Sequence, residues 1–210
     1  MPSKRNFLSI TDFSPQETAD LLRRACQMKA DRTGKPLEGK SVALLFEKPS
    51  LRTRASFEVG IKQMGGNCVY MGQDEVGLGV RESIADVARV LSGYVDCIVA
   101  RVFEHKSLEE LAAYADVPVV NALSDWEHPC QIMADMLTIQ EHQGDLSGLK
   151  LAFIGDGNNV ARSLCLGLPP MGVHFTIAGP RGYDLDEASL SLARQRAGDD
   201  SIQELTTSDP

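Results

Sequence analysis

Four short apolar runs, Val42 to Phe46, Cys68 to Met71, Cys97 to Ala100 and Val117 to Val120, recur through the first half of the chain. Each is too short for a buried helix and reads as a strand covered on both faces. The segments between them have helical spacing: Phe57, Ile61 and Met64 share one face, as do Ile84, Val87, Ala88 and Leu91. Ser107-Leu108-Glu109-Glu110 reads as the capped start of a third helix. Strands joined by single helices form a parallel β-α-β-α sheet, which gathers ligands at the carboxyl ends of its strands. Upstream, Ser14-Pro15-Gln16-Glu17 starts a helix with a serine N-cap, proline at the first position and a capping-box glutamate, and Asp31 to Gly39 is a polar link.

The second half repeats the alternation. His128-Pro129-Cys130-Gln131 opens a helix through Ile132 to Glu141 that Gly144 closes. Leu149 to Ile154 reads as a strand, followed by the loop Gly155-Asp156-Gly157-Asn158-Asn159 and a short helix. A strand at Val173 to Ala178, a helix at Leu185 to Arg196 and a strand at Ile202 to Leu205 complete it. The expected class is α/β, two consecutive parallel-sheet domains with the second incomplete, divided as residues 1–145 and 146–210.

Phe46-Glu47-Lys48-Pro49-Ser50-Leu51-Arg52-Thr53-Arg54 joins the first strand to the first interior helix. The leading N–H groups of a helix have no partner within it, and the macrodipole leaves positive charge there. Ser50 and Thr53 add hydroxyls, while Arg52 and Arg54 add guanidinium forks that suit phosphate oxygens. Two cations at a helix start oppose the dipole by roughly 0.3 to 1 kcal/mol each, a cost offset if an anion sits there. The stretch reads as a phosphate cradle, against the plainer reading of a serine N-cap and a solvated first turn.

Composition restricts the partners. The chain is 43% hydrophobic and 24% charged, an ordinary globular balance, with net charge −8. That charge and a pI near 5.0 speak against nucleic acid and anionic membranes as partners. Cys26, Cys68, Cys97, Cys130 and Cys165 are irregularly spaced without a C-x-x-C pair and read as buried thiols of a reducing compartment. His105, His128, His142 and His174 show no ligand spacing, so no metal and no cofactor is expected. No continuous apolar run suggests a leader or a membrane span, and the expected location is the cytoplasm.

Arg101 stands at the end of the third apolar run, Asn121 at the end of the fourth, and His128 and Gln131 flank a helix start. With the cradle, this set suits an acyl phosphate. Arginine neutralises the leaving phosphate, histidine and threonine donate to a carbonyl oxygen gaining charge, and glutamine accepts from a small amide.

Together FEKPSLRTRASFE, RESIADVARVLSGYVDCIVAR, VPVVNALSDWEHPCQIMADMLTIQE and LAFIGDGNNVARS resemble the ornithine carbamoyltransferases, in order and at that family's spacing. The sister aspartate carbamoyltransferases share the S-x-R-T-R core but usually carry H-P-T-Q and lack the G-D-G-N-N loop. The resemblance implies transfer of the carbamoyl group of carbamoyl phosphate to the δ-amine of L-ornithine, giving L-citrulline and phosphate, in a homotrimer. Position by position it implies that Ser50, Leu51, Arg52, Thr53 and Arg54 hold phosphate and that Arg101 bridges phosphate and carbamoyl oxygen. It further implies that His128 donates to that oxygen, Gln131 takes the amide and Asn159 touches ornithine.

Some positions depart from the pattern. Leu51 replaces the commoner threonine, Gly77 stands where many relatives carry a ligand-reaching glutamine, and Leu168-Pro169-Pro170 interrupts a stretch that relatives continue as helix. The family pattern also continues beyond Pro210, into the segments that grip the amine acceptor, so the resemblance implies most of a carbamoyl phosphate site and little of an ornithine site. A dinucleotide site at Gly155-Asp156-Gly157 is the rival reading, but Val160 occupies the sixth place of the fingerprint and no acidic residue ends the following strand.

Overall fold

A computed structural model describes residues 4–197 and 202–206. A 3₁₀ turn (Ile10–Asp12) precedes α1 (Pro15–Ala30), β1 (Ser41–Phe46), α2 (Leu51–Gln63), β2 (Asn67–Gly72), the single turn α3 (Gln73–Val76), α4 (Ile84–Ser92), β3 (Cys97–Arg101), α5 (His105–Tyr114) and β4 (Val119–Leu123). Then come α6 (Pro129–Gln143), β5 (Lys150–Ile154), α7 (Asn159–Gly167), a 3₁₀ turn (Pro169–Met171), β6 (His174–Gly179), α8 (Glu187–Ala197) and β7 (Ile202–Thr206). The chain divides into two compact units, one built from the residues up to Leu8 and Gln27–Asp125, the other from Ser9–Cys26 and Trp126 onward. This spatial grouping cuts the chain at other points than residue 145. Helix α6 joins the second unit, where a Cβ on Gly167 would meet Met136, Ile10 and Ile132 within 3.3 Å.

In the first unit all strand pairs are parallel, in the order β2-β1-β3-β4. β1 is central because Val42 to Phe46 are apolar at every position and so can be buried on both faces. Alternate residues then serve opposite layers. Ala43 and Leu45 join Ile98, Val87, Leu91, Leu108 and Leu111 beneath α4 and α5, whereas Val42, Leu44 and Phe46 join Val99 and Ile61 beneath α2. Val42 is in register with both Cys68 and Cys97, so β1 separates these thiols by two strand spacings, about 10 Å and beyond disulfide reach. None of the five cysteines is in a disulfide; only Cys165 is fully buried, where the sequence suggested buried thiols throughout. Burial pushes the Cys97 thiol up to about 11.

Two boundaries move for long-range reasons. β4 begins at Val119 and runs on to Leu123, because Phe7 accepts from Asn121 N at 2.8 Å and β3 stays paired to Leu123. Asn121 therefore lies inside the strand instead of ending it. Helix α5 begins at His105, ahead of the serine expected to cap it, and Asp125 Oδ1 accepts from His105 N at 2.7 Å. Ser107 sits within the first turn.

The second unit carries a parallel sheet of order β5-β6-β7. Helix α7 is buried from Ala161 to Gly167, all round its axis, and ends before the Pro169–Met171 turn, as the two prolines require. Among the described residues no helix is long and apolar enough to cross a membrane.

Candidate active site

The cradle residues occupy the junction that the sequence implies. Ser50 is the N-cap of α2 in extended conformation. Its Oγ accepts from Thr53 N at 3.3 Å and donates to Thr53 Oγ1 at 3.0 Å. Arg54 N reaches Ser50 O at 3.1 Å, which leaves Leu51 and Arg52 to contribute the leading N–H groups of the helix. The Leu51 side chain is 85% exposed, so the position gives its backbone and little else. Arg52 is exposed. Arg54 Nε donates to Glu58 at 2.7 Å and its guanidinium stacks 3.7 Å above the Tyr70 ring, a contact that fixes its position.

Arg101 is the last residue of β3 and pairs in register with Phe46, so it stands at the carboxyl edge of the sheet beside the cradle. A register shift between Ala100 and Arg101 marks a bulge against β4, a device that re-aims a side chain at a sheet rim. Glu47 N donates to Arg101 O at 2.8 Å, and Phe103 N donates to Glu47 Oε2 at 2.7 Å, zipping the two strand ends together. Arg101 Nη1 donates to Thr53 Oγ1 at 3.3 Å. Its Nε is buried with no hydrogen-bond partner. Partial burial pulls the Arg101 pKa down from its ordinary value, yet a guanidinium keeps its proton, so the group is a partly desolvated cation with a donor in hand. Such a group costs stability unless an anion meets it.

Asn121 does not share this edge function. It is fully buried and Nδ2 donates to Leu8 O at 2.8 Å and to Ser124 Oγ at 3.3 Å. A cavity of about 490 Å³ opens in the same unit between Glu47, Phe103, Ser107 and the 73–80 segment. Gly77 closes α3 at φ +55°, and a Cβ there would meet Arg81 Cβ at 2.8 Å, which accounts for glycine at this departure from the pattern.

His128, Gln131 and Asn159 belong to the second unit. His128 is the N-cap of α6, ahead of Pro129, and its N–H donates to Ser163 Oγ at 3.0 Å. Gln131 is exposed and its Nε2 donates to Asp135 Oδ1 at 2.9 Å, so the amide oxygen is the group's acceptor. Burial raises the Asp135 carboxyl above its ordinary range. Asn159 opens α7, behind the N-cap Asn158, whose Oδ1 accepts from Val160 N at 2.9 Å and Ala161 N at 3.1 Å. The donors a dinucleotide pyrophosphate would need are therefore already taken by the chain's own asparagine. Gly157 is glycine for a different reason: a Cβ there would lie 2.5 Å from Asp184 O.

Sequence reasoning passed over Glu127, Arg162, Ser163 and Asp135. The Gln131 and Asp135 spacing of four residues was a readable signal; the other three meet only through tertiary packing. Among the described residues no group of three or more His, Cys, Asp or Glu side chains could hold a metal ion.

Residues 5–141 match the aspartate/ornithine carbamoyltransferase carbamoyl-P binding domain, and residues 147–210 match the Asp/Orn binding domain of the same proteins. The chain belongs to the aspartate/ornithine carbamoyltransferase family. The first of these carbamoyltransferase matches contains the cradle, Arg101, His128 and Gln131, and the second contains Asn159. The ornithine carbamoyltransferase of Anoxybacillus flavithermus is 47% identical over 98% of this chain and 67% of its own length. That of Bacillus subtilis is 45% identical over 98% of this chain and 65% of its own. The solved ornithine carbamoyltransferase from Pyrococcus furiosus superposes with TM-score 0.93 at 43% identity, covering 97% of this chain and 67% of that one. A solved N-acetyl-L-ornithine transcarbamylase gives TM-score 0.87 at 35% identity, over 96% of this chain and 70% of its own. The chain thus spans about two thirds of the length of these carbamoyltransferases.

Proposed function

We propose that the protein transfers the carbamoyl group of carbamoyl phosphate to the δ-amine of L-ornithine, giving L-citrulline and phosphate. Arg101 and His128 are the catalytic residues of this reading. Ser50, Leu51, Arg52, Thr53 and Arg54 bind phosphate, Gln131 accepts from the carbamoyl amide and Asn159 meets ornithine. Residues 1–145 act as the carbamoyl phosphate-binding domain and 146–210 as part of the ornithine-binding domain. The neutral amine attacks the carbonyl carbon, the C–N bond forms, and the bond from that carbon to the bridging phosphate oxygen breaks with its electron pair leaving on phosphate, which takes up the proton that the amine loses. Arg101 and His128 stabilise the oxyanion in between, so the chemistry is positioning and charge stabilisation without a cofactor. The reading places the protein in the cytoplasm as a homotrimer.

One observation carries it: the buried, partnerless Nε of Arg101, set beside the N-cap of α2. The test is citrulline formation by the purified chain from carbamoyl phosphate and ornithine. Product formation that is lost in His128→Ala is the expected result; equal activity in that variant would remove His128 from the mechanism. Thermal stabilisation by carbamoyl phosphate without product would support a binding module instead. The match to a solved N-acetyl-L-ornithine transcarbamylase motivates one more arm, in which acylated ornithine replaces ornithine as acceptor.

A further inference from the structure

His128 does not stand alone at the start of α6. The three residues Trp126, Glu127 and His128 are each gripped within the second unit, and two residues of α7 hold all three. Arg162 Nη1 donates to Trp126 O at 2.8 Å while its guanidinium lies 3.9 Å over the indole ring. The same guanidinium is anchored by Asp186 Oδ2, at 2.9 Å from Nη2, and by Ser189 Oγ, at 3.0 Å from Nε. Next along the helix, the fully buried Ser163 accepts from His128 N at 3.0 Å and donates to Glu127 Oε2 at 3.1 Å. Glu127 is 1% exposed and also takes Ile10 N at 3.1 Å and Ser9 Oγ at 2.5 Å.

The direction of these bonds matters. An ionised carboxylate can only accept, so the Ser163 proton is committed to Glu127 and a lone pair of the same oxygen is turned to the His128 N–H. A hydroxyl that was free to rotate could satisfy Glu127 or His128 in several ways; this one is held in a single orientation. We propose that Ser163 is a positioning residue for His128, its hydroxyl oriented by Glu127 so that the backbone at the head of α6, and with it the imidazole, is held in one place. The inference rests on the reading of His128 as donor to the carbamoyl oxygen, and extends it to groups that touch no substrate. It also explains why a carboxylate and a hydroxyl are buried here, when apolar side chains would fill the same space without the desolvation cost.

Two stable probes separate the possibilities: phosphonoacetamide, which carries both the phosphonate and the carboxamide, and methylphosphonate, which carries the phosphonate alone. Calorimetric titration of the purified chain is expected to show a preference for phosphonoacetamide of about tenfold, the size of one well-made hydrogen bond. His128→Ala should bring the two affinities to within about twofold, and Ser163→Ala should do the same with methylphosphonate binding unchanged. The double variant should lose nothing further, because Ser163 acts only through His128. A preference retained in Ser163→Ala, or a loss in the double variant equal to the product of the single losses, would overturn the proposal. A preference retained in His128→Ala removes the underlying reading of the histidine, and the positioning role falls with it. Should Ser163→Ala melt below the assay temperature, Ser163→Thr and Glu127→Met give the same contrast: the first keeps the hydroxyl and the preference, the second removes the acceptor that orients the hydroxyl and loses the preference. A preference kept in Glu127→Met, or lost in Ser163→Thr with its melting point intact, would contradict it.

Discussion

At the scale of single residues, the chain spends stability on groups that a purely structural protein would avoid. Arg101 is partly desolvated with one donor unmatched, and Glu127 is a carboxylate with almost no water. Thr53 is the contact that keeps Arg101 in place, so Thr53→Val, which has nearly the same shape, should leave another guanidinium donor unsatisfied. It should cost about 1 to 3 kcal/mol in urea unfolding and weaken phosphate binding in parallel. Glu127 makes a prediction with a sign. Burial raises its carboxyl above the ordinary 4.5, outweighing the hydrogen bonds from Ser9, Ile10 and Ser163 that lower it. The folded state therefore holds this proton more tightly than the unfolded chain, and the stability so gained is full below the unfolded pKa and lost as pH rises through the folded one. Glutamine carries no such proton. The melting temperature of the native chain minus that of Glu127→Gln should accordingly rise as pH is lowered from about 7 toward the ordinary carboxylate range; a difference independent of pH would show Glu127 to be an unshifted acid.

At the scale of elements, the two helix starts show how the same feature serves opposite ends. Helix α7 satisfies its first donors with its own N-cap Asn158, whereas α2 gives its N-cap only one of them, Thr53 N, and surrounds the rest with arginines. Both glycine loops next to these sites are fixed by geometry. Gly77→Ala must hold φ near +55° against the Arg81 side chain and should cost roughly 1 kcal/mol or more, read as a lower unfolding midpoint. The parallel strands were readable because each is a short apolar run between helical patterns, and the cradle because its cap and cations are contiguous. What could not be read was long-range. The start of α5 depends on Asp125, the extent of β4 on Phe7, and the setting of His128 on Ser163 and Glu127, none of which is a neighbour in the helical or strand repeat.

At the scale of the whole molecule, the proposed phosphate binding requires a chain of net charge −8 to concentrate its positive charge locally, and Arg52, Arg54 and Arg101 stand around the end of β1 and the head of α2. Salt should therefore weaken phosphate binding appreciably, because Arg52 and Arg54 are exposed and Arg101 is only half-buried. The proposed homotrimer predicts sedimentation at three times the 22.8 kDa chain mass; a monomer at micromolar concentration would contradict that assembly. The claim on which the functional reading turns is that the half-buried Arg101 guanidinium, with its Nε shut off from solvent, meets an anion at the head of α2. Titration calorimetry with carbamoyl phosphate tests it most directly, comparing the native chain with Arg101→Met, which keeps the stem and removes the charge. The expected result is saturable one-site binding in the native chain and a loss of at least about tenfold in the variant, the worth of a charge-assisted hydrogen bond. Equal affinity in the two proteins, with both folded, would contradict it.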